Sequence, residues 1–139
     1  MPKESAHINS YLPTEYSDLG IDARWLQSDK ASNAYSFVTT FCRADYYAID
    51  KAKVEQYSEH KISNHSIAKR WVSSLVSTEG TVQIIYGEDE VVIISAKDFI
   101  DRWQDIFCPG RDDAVVLHNL TKVILYYCHE EEWTYGQRP

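Results

Sequence analysis

Four side chains that can perform acid-base or metal chemistry lie in the carboxy-terminal part of the sequence. Asp112 and Asp113 occupy a Gly-Arg-Asp-Asp turn that precedes an apolar segment, and His118 and His129 each follow an apolar segment. A carboxylate and an imidazole can serve as general base and general acid, and paired carboxylates also bind hard cations. The sequence therefore allows a small hydrolase that uses Asp112 or Asp113 with His118 or His129.

A structural role is the simpler interpretation of the two aspartates. Aspartates commonly stabilise turns, and Arg111 supplies a local counter-charge. Acid-base catalysis also needs a cleft and a correctly placed partner, and no motif in the sequence identifies either one. We therefore expect no catalytic residue, and the hydrolase stays an alternative.

The histidines and cysteines lack the spacing of common metal and nucleophile motifs. A zinc site from His118, His129 and Cys128 would contain no CxxC, HxH or HExxH pair. Cys42 and Cys108 lie in no signature of a cysteine nucleophile, and the chain has neither a P-loop nor a GxGxxG motif. Three widely spaced cysteines favour free thiols over a disulfide framework. We expect no metal and no cofactor.

The stretch 129–135, His-Glu-Glu-Glu-Trp-Thr-Tyr, combines three carboxylates with two large aromatic side chains. It can be a solvated tail whose tryptophan folds back on the domain. It also has the composition of a surface that captures a basic protein, with acids for steering and aromatic rings as anchors. Together with acids expected at neighbouring loop ends, the predicted partner-binding set is Glu88, Asp89, Asp112, Asp113, Glu130, Glu131, Glu132, Trp133 and Tyr135.

The net charge of −7 is unevenly distributed along the chain. Residues 1–85 contain ten acids and nine bases, a net charge of −1, whereas residues 86–139 contain eleven acids and five bases, a net charge of −6. Such an acidic region repels phosphate backbones and attracts basic surfaces. We expect a protein partner, and neither a nucleic acid nor an anionic membrane.

These residues are predicted to lie on a single α+β domain over residues 11–139, preceded by a flexible segment, 1–10. Segments 81–94 and 114–128 each have the pattern of a β-hairpin, and together they predict a mostly antiparallel sheet with helices packed on it. Ser95 can cap a helix over 95–107, which Pro109 and Gly110 would end.

Further helices are predicted over 65–77, 51–60 and, from a weaker pattern, 34–42, with a short strand at 46–49 and irregular structure over 11–21. The residues expected among the most buried are Trp71, Phe99, Trp103, Val116 and Ile124. The amino terminus has no apolar secretion signal, and no run of about 18 apolar residues occurs, which favours a cytoplasmic protein.

Three short motifs resemble a known class of proteins. Asp-Arg-Trp-Gln-Asp-Ile-Phe at 101–107, Arg-Asp-Asp-Ala-Val-Val at 111–116 and Tyr-Cys-His-Glu at 127–130 are similar to the carboxy-terminal half of small bacterial immunity proteins, which neutralise polymorphic or contact-dependent toxins. The resemblance implies a cytoplasmic, non-catalytic inhibitor that covers a toxin's active site. Many such toxins are basic nucleases, which suits an acidic inhibitor. A regulatory protein-binding module is the other alternative, and the oligomeric state stays open.

Overall fold

The computed structural model describes residues 11–139 and contains four α-helices and seven strands within that range. The predicted flexible segment 1–10 lies outside the described residues. A short 3-10 helix, Lys51–Lys53, precedes the second strand. In chain order the elements are α1 (Leu12–Asp18), β1 (Arg24–Trp25), α2 (Ser28–Thr39), β2 (Glu55–Lys61), α3 (His65–Leu75), β3 (Thr81–Gly87), β4 (Glu90–Ser95), α4 (Ala96–Ile106), β5 (Ala114–His118), β6 (Val123–Cys128) and β7 (Glu132–Gln137).

The seven strands form one antiparallel sheet in the order β1-β4-β3-β5-β6-β7-β2. The predicted α+β class is confirmed. Segments 81–94 and 114–128 do pair within themselves, as β3 with β4 and β5 with β6. The predicted sheet, made only of these two hairpins, has too few strands. In the structure β7 and β2 extend it on one side and β1 extends it on the other.

Both faces of the sheet are covered, which explains why its central strands have continuous apolar sequences. Successive strand residues point to opposite faces. Ile84 accordingly packs in a cluster with Val72 of α3 and Phe99 of α4, whereas Ile85 packs in a second cluster with Val38 of α2. Strands buried on both sides need no alternation of apolar and polar residues.

Local signals predicted two of the helices well. The Ser95 hydroxyl accepts a hydrogen bond from the Asp98 backbone N–H at 3.0 Å and begins α4, and Asn64 caps α3 in the same way through the Ile67 N–H at 3.1 Å. No helix of the described residues is long and apolar enough to cross a membrane.

The predicted core is confirmed for four of its five residues: Phe99, Trp103, Val116 and Ile124 are buried. The prediction is wrong for Trp71, which is half-buried. Its indole ring stacks on the imidazole of His60 with ring centroids 4.9 Å apart, near the outer edge of the sheet.

Three other segments differ from the prediction. The segment 51–60, predicted as a helix, is mostly strand: the Asp50 cap holds only a 3-10 turn, and residues from Glu55 onward pair with β7. A helix, α1, replaces the irregular structure expected over 11–21, and α2 begins at Ser28 rather than near residue 34. The expected strand at 46–49 is reduced to a single bridge between Cys42 and Ile49.

Candidate partner-binding site

Strand register brings three turns to one end of the sheet. Ile85 of β3 pairs with Val115 of β5, so the β3–β4 turn lies beside the start of β5. Ala114 pairs with Tyr127, which brings the β6–β7 turn to the same end. We call this region the acidic end, because its turns and strand termini carry eight carboxylates: Glu88, Asp89, Glu90, Asp112, Asp113, Glu130, Glu131 and Glu132.

Several of these carboxylates lack a counter-charge. Lys61 lies 3.5 Å from Glu132, and the His65 ring nitrogen lies 3.6 Å from Glu131, in exposed pairs that contribute little stability. Among the described residues, no ion pair involves Glu88, Asp89, Glu90 or Glu130. The acidic end therefore projects a negative potential into solvent.

Asp112 is a structural residue of its turn, in agreement with the simpler interpretation of the sequence, and its burial takes it out of the exposed surface predicted to bind a partner. Its side chain is 6% exposed, and its carboxylate accepts a hydrogen bond from the Cys108 backbone N–H at 2.8 Å. The Arg111 guanidinium donates to the same carboxylate at 2.8 and 3.0 Å and to both oxygens of Glu15 at 2.8 Å. This network fastens the turn before β5 to α1.

Trp133 and Tyr135 belong to the core, so the prediction that they form part of the partner-binding surface is wrong. Trp133 is completely buried and Tyr135 is 7% exposed. The stretch 129–135, interpreted from sequence either as a solvated tail or as a partner-capturing surface, leads into β7, which pairs with β6 on one side and β2 on the other and lies beneath α4. Neither side chain is available as an exposed anchor for a partner.

The structure joins one predicted acid to one predicted histidine at the acidic end. Asp113 Oδ1 accepts a hydrogen bond from the His129 backbone N–H at 2.8 Å and lies 2.9 Å from His129 Nδ1. The hydrogen bond to the Asp113 carboxylate raises the pKa of the His129 imidazole above its ordinary value. Asp113 is half-buried and His129 is exposed.

The four residues of the hydrolase alternative do not share one cleft. β5 and β6 are antiparallel, so His118 at the end of β5 lies at the opposite end of the sheet from His129. His118 is 1% exposed, and its ring nitrogens lie 2.8 Å from the Glu79 carbonyl oxygen and 3.0 Å from the Thr121 hydroxyl. The same separation rules out the zinc site that combined His118 with His129 and Cys128.

A cavity of about 380 Å³ opens beside the acidic end and contains residues that the sequence did not single out. The hydroxyl of Tyr47 donates to the Ile85 carbonyl oxygen, and the hydroxyl of Tyr86 bonds to that of Tyr16, both at 2.7 Å. These bonds hold the phenol rings as fixed walls. The lining consists of Tyr11, Leu12, Tyr47, Tyr86, Glu90, Arg111, Asp112 and Asp113.

The cavity has the chemistry of a receptor for a cationic side chain. Within the lining the charges of Arg111 and Asp112 cancel, and Arg111 also pairs with Glu15 outside it, so Glu90 and Asp113 supply the net charge of the lining. Aromatic faces and carboxylates together favour an ammonium or guanidinium group. Only tertiary structure reveals this site, because Tyr11, Tyr47 and Tyr86 are far apart in sequence and lie in no recognisable motif.

Comparison with known proteins assigns no family. No protein-family model matches the chain, and a search of curated proteins finds no significant match. The functional interpretation therefore depends on the chemistry of the acidic end and on the resemblance carried by the three short motifs.

Proposed function

We propose that this protein is an immunity protein that binds and neutralises a cognate bacterial toxin domain, and that the acidic end is its partner-binding surface. The observation that carries this proposal is the convergence of carboxylates from three turns at one end of the sheet, with several of them unbalanced by nearby cations. A surface of this kind attracts a basic partner, steers its approach and accelerates association. A basic, nuclease-type toxin is the partner class that suits this charge.

The exposed part of the acidic end would make the contact. The carboxylates at the surface are those of Glu88, Asp89, Asp113, Glu130, Glu131 and Glu132, with Glu90 at the neighbouring cavity. A lysine or arginine side chain of the toxin would enter the tyrosine-lined cavity and serve as the anchor, in place of the buried Trp133 and Tyr135. Inhibition then results from covering the toxin's active site, and no catalytic group of this chain takes part.

Co-expression tests the proposal directly. The chain is produced together with the protein that the gene immediately upstream encodes, and growth and complex formation are measured. We expect growth to be restored and the two proteins to purify as a stoichiometric complex. The double variant Glu88→Lys and Glu130→Lys should protect less well, whereas Glu55→Lys with Glu79→Lys, which makes the same charge change at the opposite end of the sheet, should protect normally.

The outcomes separate the alternatives. Continued growth arrest with the folded chain present at normal abundance, and without a complex, would refute the immunity proposal. Recovery of a host protein in place of the toxin would favour a regulatory module. Turnover of a nucleic acid, peptide or phosphoester by the purified chain alone would favour the hydrolase.

A further inference from the structure

Three side chains with different metal-binding groups lie together at the acidic end: the Asp113 carboxylate, the Cys128 thiol and the His129 imidazole. One ligand atom from each lies within 4.8 Å of the other two. We propose that these three residues form a binding site for one divalent transition-metal ion of the zinc type. This inference is independent of the proposed immunity function.

The pairing register of β5 with β6 brings the three side chains together. Ala114 pairs with Tyr127, so Asp113, which directly precedes β5, lies across from Cys128, the last residue of β6. Residues opposite each other in an antiparallel pair point to the same face. His129 follows Cys128 directly, and the turn that it starts brings the imidazole back over Asp113. Residues that are distant in sequence thus converge, which is why spacing motifs gave no signal.

Backbone hydrogen bonds already orient two of the three ligands. The Glu130 backbone N–H donates to Cys128 Sγ at 3.5 Å, and the His129 backbone N–H donates to Asp113 Oδ1 at 2.8 Å. Metal ligands are characteristically held by such neighbouring hydrogen bonds, which fix their rotamers before the ion arrives.

The distances are close to those that a metal requires. Bonds of about 2.0–2.3 Å to nitrogen, oxygen and sulfur separate the donors of a tetrahedral site by about 3.3–3.8 Å. Asp113 Oδ1 and His129 Nδ1 are 2.9 Å apart, and every pair in the cluster is within 4.8 Å. The donors are therefore near the spacing of a tetrahedral site, and small side-chain adjustments would bring them into coordination.

The donor set selects the class of metal. A thiolate with an imidazole favours zinc-type ions, whereas magnesium and calcium prefer sites made only of oxygen. Binding releases the Cys128 thiol proton to solvent and frees His129 Nδ1 of the proton that it shares with Asp113, because a thiolate and an unprotonated ring nitrogen are the ligands. Three protein ligands fill three positions of a tetrahedral ion, and the exposure of His129 leaves the fourth position accessible to water.

Titration of the metal-free protein with Co²⁺, a spectroscopic substitute for Zn²⁺, tests the site. We expect one Co²⁺ per chain, with thiolate-to-cobalt charge-transfer absorption and the intense visible bands of tetrahedral cobalt, and we expect Zn²⁺ to displace it. Cys128→Ser should abolish the charge-transfer absorption. Asp113→Asn and His129→Gln should each weaken binding by about 10-fold or more, since mutation of even a hydrogen-bonding partner of a ligand typically has an effect of that size.

Matched controls make the assignment specific. Cys108→Ser removes the exposed thiol, and His65→Gln removes a different exposed imidazole near Glu131, so both variants should bind Co²⁺ normally. Circular dichroism and thermal unfolding establish that each variant folds. The proposal is overturned if folded wild-type protein binds no stoichiometric Co²⁺ or Zn²⁺. It is equally overturned if binding survives Cys128→Ser or is lost in Cys108→Ser.

Discussion

The indole rings of Trp103 and Trp133 meet edge to face, with centroids 5.3 Å apart and an interplanar angle of 87°. Trp103 comes from α4 and Trp133 from β7, so the contact joins the helix to the sheet. Phe107, just beyond α4, lies 5.8 Å from Trp133 and stacks on Tyr127 at 4.6 Å. This aromatic cluster fixes the end of α4, from which the chain enters the turn at Asp112.

Replacing Trp103 with alanine should lower the free energy of unfolding by about 3–5 kcal/mol, the usual cost of removing a large aromatic residue from a core. The side chain is buried and its loss leaves a cavity against Trp133. Urea denaturation measures the change. Trp71→Ala is the control, because that indole is half-buried and its loss should cost less. Equal losses in the two variants would contradict this account of the core.

The sequence predicted those elements whose signals are local. A capping serine, an apolar helical face and a Pro-Gly ending all lie within α4 or just beside it in the sequence, so its bounds could be predicted without knowledge of its neighbours. The β3–β4 and β5–β6 hairpins likewise have apolar segments that are close in sequence. The two hairpins pair with each other through β3 and β5, and this pairing places Glu88 and Asp89 beside Asp113.

The strands β2 and β7 could not be predicted, because the features that define them are not local. β2 is an edge strand with mostly exposed, polar residues, and only its pairing with β7 makes it a strand. The turn before β7 has Glu131 in the left-handed region at φ 61°, where a glycine would have been the usual sequence signal. Without that signal the acidic stretch resembled a tail, and Trp133 was predicted at the surface.

The ion pair between Glu15 and Arg111 should make stability depend on pH. Hydrogen bonding to Arg111 lowers the pKa of Glu15 below its ordinary value of 4.5. A lowered pKa in the folded state contributes stability above the unfolded value, and this stability is lost as the pH falls through the folded value. Glu15→Gln should therefore be less stable than wild type at neutral pH, and the difference should shrink well below pH 4.5.

Denaturant unfolding of wild type and Glu15→Gln, at neutral pH and well below pH 4.5, measures this effect. Asp18→Asn is a matched control, since it removes an exposed carboxylate from the same helix. A difference between wild type and Glu15→Gln that stays constant on acidification would show that the ion pair contributes nothing through protonation.

The rate of thiol modification in the folded protein should distinguish Cys42 from Cys108. Burial raises the pKa of Cys42 to about 11, and its side chain is 2% exposed, so little reactive thiolate is present or accessible near neutral pH. Cys108 is exposed. With a colorimetric disulfide reagent and metal-free protein, Cys108→Ser should remove a fast phase, whereas Cys42→Ser should change only the total measured after unfolding. A fast phase that disappears with Cys42→Ser would mean that the bridge between Cys42 and Ile49 opens readily.

Binding kinetics should separate the contribution of charge from that of the cavity. The double variant Glu88→Lys and Asp89→Lys should lower the association rate with the toxin domain and reduce its dependence on salt, because steering is electrostatic and is screened by ions. Tyr11 lines the cavity and is 74% exposed, so its side chain can be removed without disturbing the core. Tyr11→Ala should mainly raise the dissociation rate, by an amount equivalent to about 2 kcal/mol if the cavity is a hot spot.

Surface plasmon resonance at several ionic strengths resolves the two effects, and Glu55→Lys with Glu79→Lys again controls for net charge alone. Because this control changes the total charge equally, a matching fall in association rate would assign the steering to the whole molecule and not to the acidic end. Unchanged rates in both test variants, with the fold intact, would place the interface on another face. We expect the association rate to fall only in the Glu88→Lys and Asp89→Lys double variant. We expect dissociation to become faster only in Tyr11→Ala. This combination follows if one end of the sheet both attracts the partner and holds it.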